Sequence, residues 1–153
     1  MPWWNPFSKP SAPRRMIQGP VVATTIQEAL RGRTAPNYRH IAQKLVMAVC
    51  DMKSVEDAAK AAYKPWKKDV WECEDIARAA LNRLQERAAN QGCSFAAGML
   101  RANAPEGTDL HVYLWCLVDH PAIDGGNIAV FYDPTELRWV ISQALYNVDY
   151  TMT

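Results

Sequence analysis

The chain has 153 residues, of which 49% are hydrophobic, and its 17 basic side chains nearly balance its 16 acidic ones, for a formal charge of +1. This length fits one domain with a substantial core. The near-neutral charge excludes the broad positive field with which proteins attract nucleic acids or anionic membranes.

The four cysteines form no CxxC pair, and the chain contains no apolar run long enough to span a membrane. We therefore expect a reduced, cytoplasmic protein with neither a nucleic-acid nor a membrane partner. No pattern predicts an oligomeric state. The cysteines are Cys50, Cys73, Cys93 and Cys116.

Residues 1–20 are rich in proline and tryptophan and show neither helical nor strand periodicity. This composition predicts a flexible arm in front of a single domain over residues 21–153. The paired Trp3 and Trp4 either dock on the domain or on a partner, or belong to a basic tail without partners, and the pattern leaves both roles open.

Three helices are predicted after the arm. Thr25 and Glu28 form a capping box for the first, over residues 25–32. Apolar residues at helical spacing predict the second over 37–49 and the third over 54–64. Two successive helices resemble a helix-turn-helix, but neither has the basic face that DNA recognition requires.

A fourth and longer helix is predicted from Cys73 to about Asn90, before Gly92. Its apolar positions place the Cys73 thiol on the buried stripe. The free N–H groups and the dipole of a helix N-terminus favour a thiolate there. The alternative is that Cys73 is a small buried hydrophobic residue. The apolar positions are Ile76, Ala77, Ala80, Leu84 and Ala88.

Extended patterns follow at residues 94–101, 110–118 and 127–133, and predict three strands. The tail beyond residue 135 fits either a short helix or a further strand. Helices followed by strands predict an α+β fold, with N-terminal helices and a central Cys-bearing helix packed on a C-terminal antiparallel sheet.

Three chemically active side chains lie at the ends of these elements. Cys73 starts the fourth helix, His111 starts the second strand and Asp133 ends the third. A cysteine nucleophile needs an imidazole to accept its proton and a carboxylate to orient the imidazole, so we predict a catalytic triad of these residues. Alternatively, His111 is a hydrogen-bonded residue at the edge of the sheet, and Asp133 starts a turn before Pro134.

The segment DVWECEDIA at residues 69–77 resembles the signature of bacterial transglutaminase-like cysteine peptidases, and also the protease domain of the fungal Marasmius-type agglutinins. His111 and Asp133 match the later triad positions of these families. The resemblance covers about residues 63–139. It implies a papain-like or transglutaminase-like fold and a cysteine peptidase or amidase.

The resemblance also raises the question of metal ions and of the oxyanion hole. The agglutinin protease domain depends on calcium, so calcium is implied by resemblance only, and the sequence itself predicts no cofactor and no metal. A zinc site built from Cys93, His111, Cys116 and His120 would need ligands from both faces of one strand. Papain-like enzymes carry an oxyanion-hole glutamine where this chain has Trp66, Lys67 and Lys68.

Three tryptophans are candidates for the cleft or for oxyanion contacts, and the Cys73 N–H is a further candidate donor. The three tryptophans are Trp66, Trp71 and Trp115.

The function predicted from these residues is a cysteine hydrolase acting on peptide or amide bonds of a peptide or protein substrate. One alternative is a non-catalytic binding or assembly module on the same fold, which uses the tryptophan-bearing arm for docking. Another is acyl transfer of the transglutaminase or deamidase type with the same three residues.

Overall fold

The computed structural model describes residues 14–103 and 110–153, and it is built around a six-stranded mixed sheet. No helix in these two ranges is long and apolar enough to cross a membrane. The elements in chain order are β1 (Met16–Gln18), α1 (Gly19–Ala29), β2 (Thr34–Ile41), β3 (Val46–Ala48), α2 (Met52–Ala62), α3 (Cys73–Asn90), β4 (Ala97–Asn103), β5 (Leu110–Asp119), β6 (Asn127–Asp133), β7 (Arg138–Val140) and β8 (Tyr146–Met152).

The large sheet has the strand order β2-β8-β4-β5-β6-β7, in which β2 runs parallel to β8 and the other pairs are antiparallel. Helix α1 covers one face, and α2 and α3 cover the other. Strand β5 is therefore buried on both sides. Its residues are apolar on both faces, with Trp115 and Leu117 on the α1 side and Leu114 and Cys116 on the α3 side.

Helix α3 begins and ends where its sequence pattern indicates. At its start, Asp75 accepts a hydrogen bond from the Glu72 N–H at 3.0 Å, and the Glu72 carboxylate accepts one from the Asp75 N–H. This reciprocal capping satisfies two N–H groups that the helix leaves free. Gly92 adopts a φ of 78° after the last turn, a left-handed conformation that glycine adopts without steric cost.

The predicted fold class is wrong because the N-terminal half contributes strands to the sheet. Residues 37–49 form β2 and β3 instead of a helix. In β2, Tyr38 and His40 point to the same face and hydrogen-bond the Thr151 hydroxyl in β8 at 2.9 and 2.6 Å. This pairing partner lies more than a hundred residues further along the chain, so local periodicity could not show it.

The N-terminal boundary of the domain also differs from the predicted one. Ile17 in β1 is only 3% exposed and packs in the α1-side core, and Arg14 pairs with Asp51 at 2.9 Å. Residues 14–20 therefore belong to the folded unit, whereas Trp3 and Trp4 lie outside the described residues. Helix α1 starts at Gly19 instead of Thr25, whose hydroxyl donates to the Val21 carbonyl within the helix.

The C-terminal tail forms a strand, one of the two structures its sequence allows. Strand β8 lies between β2 and β4, inside the sheet, after a short 3-10 turn at Ser142–Ala144. Its position makes the sheet mixed, and it connects the N-terminal strand β2 to the strands that carry the predicted site.

Candidate functional site

The Cys73 sulfur lies where the N-terminus of α3 meets the start of β5. The backbone N–H groups of Glu74, in the first turn of α3, and of Val112, in β5, approach the sulfur and lower the pKa of its thiol. The residue is half-buried, so the sulfur is held by the protein and still reachable from solvent. These two donors stabilise negative charge on the sulfur.

His111 lies one residue before Val112, between Cys73 and Asp133. One ring nitrogen, Nε2, hydrogen-bonds the Asp133 Oδ1 at 3.0 Å, and the ring also lies close enough to the Cys73 sulfur to lower the pKa of the thiol. Tyr113 packs edge-on against the imidazole, with ring centroids 4.6 Å apart. The imidazole is therefore oriented by a carboxylate on one side and directed to the thiol on the other.

The register of β5 and β6 brings Asp133 to His111. Leu114 pairs with Tyr132, so Asp133 lies diagonally across from His111 on the same face of the sheet. The Asp133 side chain is 6% exposed, and its Oδ1 also accepts hydrogen bonds from the N–H groups of Thr135 and Glu136 at 3.0 and 3.3 Å. Asp133 thus starts a turn and orients His111 at the same time.

The pKa values of the two titrating partners move in opposite directions. The hydrogen bond with His111 lowers the pKa of the Cys73 thiol, against an opposing effect of burial, and the N–H groups of Val112 and Glu74 lower it further. Burial lowers the pKa of His111, but the hydrogen bonds to Asp133 and Cys73 outweigh this and raise it to about 9. Both shifts favour the same charge state, a thiolate beside an imidazolium.

Replacing Asp133 with asparagine is expected to lower the pKa of His111 from about 9 toward its ordinary value of 6.5, because the amide carries no charge to hold the proton. The measurement is an NMR titration of the imidazole. Glu136→Gln is the control, since it removes a negative charge from the same turn and keeps the backbone N–H that Asp133 accepts. An unchanged His111 pKa in the Asp133 variant would contradict the assigned hydrogen bond.

The three candidate tryptophans do not form a common cleft. Trp115 is 1% exposed and its indole N–H donates to the Met152 carbonyl at 3.2 Å, so it belongs to the core. Trp71 lines a surface pocket with Ala79 and Arg83, which lie on the outer side of α3. Trp66 is 52% exposed on the surface. The Cys73 N–H, in the first turn of α3, stays the candidate oxyanion donor.

The remaining histidine and cysteine candidates have structural roles. His120 Nδ1 accepts hydrogen bonds from the N–H groups of Ala122 and Ile123 in its own loop. The Cys93 thiol donates to the Ala88 carbonyl at the end of α3, and Cys116 is buried in the core. Within residues 14–103 and 110–153 there is no cluster of three or more side chains that could hold a metal ion.

Sequence reasoning identified the three side chains of the site and the N–H groups of the helix N-terminus, but it missed the Val112 N–H. The Glu74 N–H is one of the helix groups. The Val112 N–H depends on how α3 docks against β5. No sequence pattern predicts the contact between this N–H and the Cys73 sulfur.

The sequence matches no known protein-family model and no curated protein. Solved structures of similar fold include the following two. The complex of PSL1a with E64 has a TM-score of 0.72 and 14% identity, over 90% of this chain and 51% of the other. Polyporus squamosus lectin bound to the human-type influenza-binding epitope Neu5Acα2-6Galβ1-4GlcNAc has a TM-score of 0.69 and 15% identity, over 90% and 49%. The chain thus spans about half the length of these structures, and the low identity shows the fold alone.

These neighbours overturn the family predicted from the segment at residues 69–77. One of these two structures is named as a lectin and neither as a peptidase, so the assignment to papain-like or transglutaminase-like cysteine peptidases is corrected to a fold shared with the lectin. The mixed sheet with its N-terminal strand agrees with this correction.

Proposed function

We propose that this chain is a binding module that captures an electrophilic ligand at Cys73. The resemblance to a lectin, which is a binding protein, supports the first part of the proposal. The observation that carries the second is the row of Cys73, His111 and Asp133, in which His111 hydrogen-bonds Asp133 and lowers the pKa of the half-buried Cys73 thiol. A thiolate is the form of cysteine that bonds to electrophilic carbon.

The two neighbours suggest compounds with which ligand binding can be tested. One is the Neu5Ac-containing trisaccharide bound to the lectin, and the other is E64, present with PSL1a. A compound that occupies a cleft at Cys73 will slow alkylation of the thiol by iodoacetamide. If neither compound slows alkylation at millimolar concentration, this chain shares the fold of these proteins without sharing the ligand.

Acyl transfer is a second candidate function, favoured by the position of His111 between the thiol and the carboxylate. The thiolate attacks the carbonyl carbon of a peptide or protein amide, and the carbonyl electron pair moves to oxygen. When the C–N bond breaks, the leaving nitrogen takes the proton of the His111 imidazolium and a thioester remains on Cys73. A primary amine then attacks the thioester, His111 accepts its proton, and the thiolate is regenerated.

Replacing Cys73 with serine is expected to abolish both capture and transfer, with transfer falling by at least about a hundred-fold, because a hydroxyl is not ionised in this site. The measurement couples a glutamine-containing dipeptide to a fluorescent primary amine. Cys93→Ser is the matched control, since Cys93 is also a half-buried free thiol but lies at the other end of α3. Transfer that persists in the Cys73 variant would exclude this site as its source.

A further inference from the structure

A row of paired residues crosses four strands and ends at the reactive sulfur. Arg39 in β2 pairs with Tyr150 in β8, Tyr150 pairs with Arg101 in β4, and Arg101 pairs with Val112 in β5. Residues paired in this way point to the same face of a sheet. Val112 is also a residue whose N–H lowers the pKa of the Cys73 thiol. The row therefore runs from the exposed Arg39 to a buried residue beside the start of α3.

We call the strip of surface that follows this row from Arg39 past Arg101 to Cys73 the groove. Neighbouring strands lie about 4.8 Å apart, so three strand spacings separate Arg39 from Val112 by roughly 14 Å. The β2 end of this path is a cavity of about 310 Å³. Its apolar lining comes from Ile41, Tyr150 and Met152. An extended chain of about four residues spans the same distance.

The charges in the groove leave one cation without a partner. Asp149 binds Arg101 in a bidentate manner, at 3.0 Å to Nε and 2.6 Å to Nη2, and thereby neutralises it. The Arg101 guanidinium lies 4.9 Å from the Tyr150 ring and is held in place. It is also close enough to interact favourably with Glu74, which connects the groove to the start of α3. Arg39 is exposed and forms no ion pair within the part of the chain that the structure describes.

We infer that the ligand captured at Cys73 is an extended acidic peptide, bound along this groove with a carboxylate on Arg39. The inference rests on the proposed function, since it takes Cys73 as the group that attacks the peptide carbonyl. The apolar lining of the cavity contacts the body of the peptide, and the unpaired Arg39 guanidinium binds its carboxylate. The Arg39 side chain can extend toward or away from Cys73. The peptide carboxylate is therefore expected two to four residues from the carbonyl that Cys73 attacks.

The experiment compares two chloromethyl ketones, acetyl-Glu-Ala-Ala-Ala and acetyl-Gln-Ala-Ala-Ala, which differ in one charge. In the reaction the thiolate sulfur forms a bond to the methylene carbon and chloride leaves. We expect the acidic probe to modify Cys73 about three- to ten-fold faster than the neutral probe at low ionic strength. This preference should shrink as salt is added, because Arg39 is exposed.

In Arg39→Ala the ratio of the two rates is expected to fall to about one. Arg31→Ala is the matched control and should keep the wild-type ratio, since Arg31 is an exposed arginine just after α1, on the opposite face of the sheet. Circular dichroism of both variants checks that the fold is retained. A ratio near one in the wild-type protein, or an unchanged ratio in Arg39→Ala, would overturn the inference.

Two further outcomes separate this inference from the function on which it rests. If neutral iodoacetamide fails to label Cys73 faster than Cys93, the proposed function itself fails. If Cys73 is reactive but the trisaccharide containing Neu5Ac blocks both probes and their rates are equal, the groove takes an acidic sugar. That result overturns the peptide and leaves the reactive thiolate intact.

Discussion

Replacing His111 with alanine is expected to slow alkylation of Cys73 at pH 6 by roughly ten- to a hundred-fold. A thiol with an unperturbed pKa of about 8.5 is only about 0.3% ionised at this pH. In the wild-type protein the hydrogen bond from His111 lowers the pKa of Cys73 and keeps the thiolate populated. A thiolate of low pKa is intrinsically less nucleophilic, so the loss of rate is smaller than the loss of ionisation.

The rate is measured with iodoacetamide, followed by mass mapping of the modified peptides. His120→Ala serves as the control, because His120 is bonded within its own exposed loop and lies outside the site. Cys73 in the His120→Ala variant should be alkylated at the same rate as in the wild-type protein. Equal rates in wild type and His111→Ala would show that the helix N-terminus alone activates the thiol, and the role of the imidazole would have to be withdrawn.

Replacing Gly98 with alanine is expected to destabilise the protein by about 3 kcal/mol or more, the upper end of the range for overpacked cores. A Cβ at this position would overlap the Met152 carbonyl oxygen in β8 and lie 2.8 Å from the Trp115 ring. Both neighbours belong to the centre of the sheet and cannot move independently. The free energy of unfolding is obtained from a urea titration monitored by circular dichroism.

Gly32→Ala is the comparison for this variant. Gly32 has a φ of 78° and nothing within 4 Å of an added Cβ, so alanine there costs only the strain of a left-handed residue, about 1–2 kcal/mol. A cost at Gly98 no larger than at Gly32 would mean that β4 and β8 are less tightly packed than the structure indicates. Loss of the β4–β8 contact would also disturb the row from Arg39 to Val112.

The features that sequence reasoning found are those with a local signal. Helix α3 is predicted by its apolar spacing, its acidic first turn and Gly92. Strands β5 and β6 are predicted by apolar runs with turn residues between them. Since Cys73, His111 and Asp133 lie at the ends of these elements, the structure brings together the three side chains that the sequence had singled out.

The features that sequence reasoning missed depend on contacts between distant parts of the chain. Strand β2 is stabilised by parallel pairing with β8, and neither Tyr38 nor His40 signals that partner locally. The family was misassigned because a short segment around Cys73 constrains the start of one helix and leaves the remaining sheet topology undetermined.

The thiolate beside an imidazolium is tested most directly by the pH dependence of Cys73 alkylation in the wild-type protein. Because the pKa of Cys73 is lowered, the thiolate is present above that lowered value and is lost only as the pH falls through it. The rate is therefore expected to stay near its plateau well below pH 8.5, the midpoint of an ordinary thiol. A single transition centred near pH 8.5, superimposable on that of the urea-unfolded chain, would contradict the account.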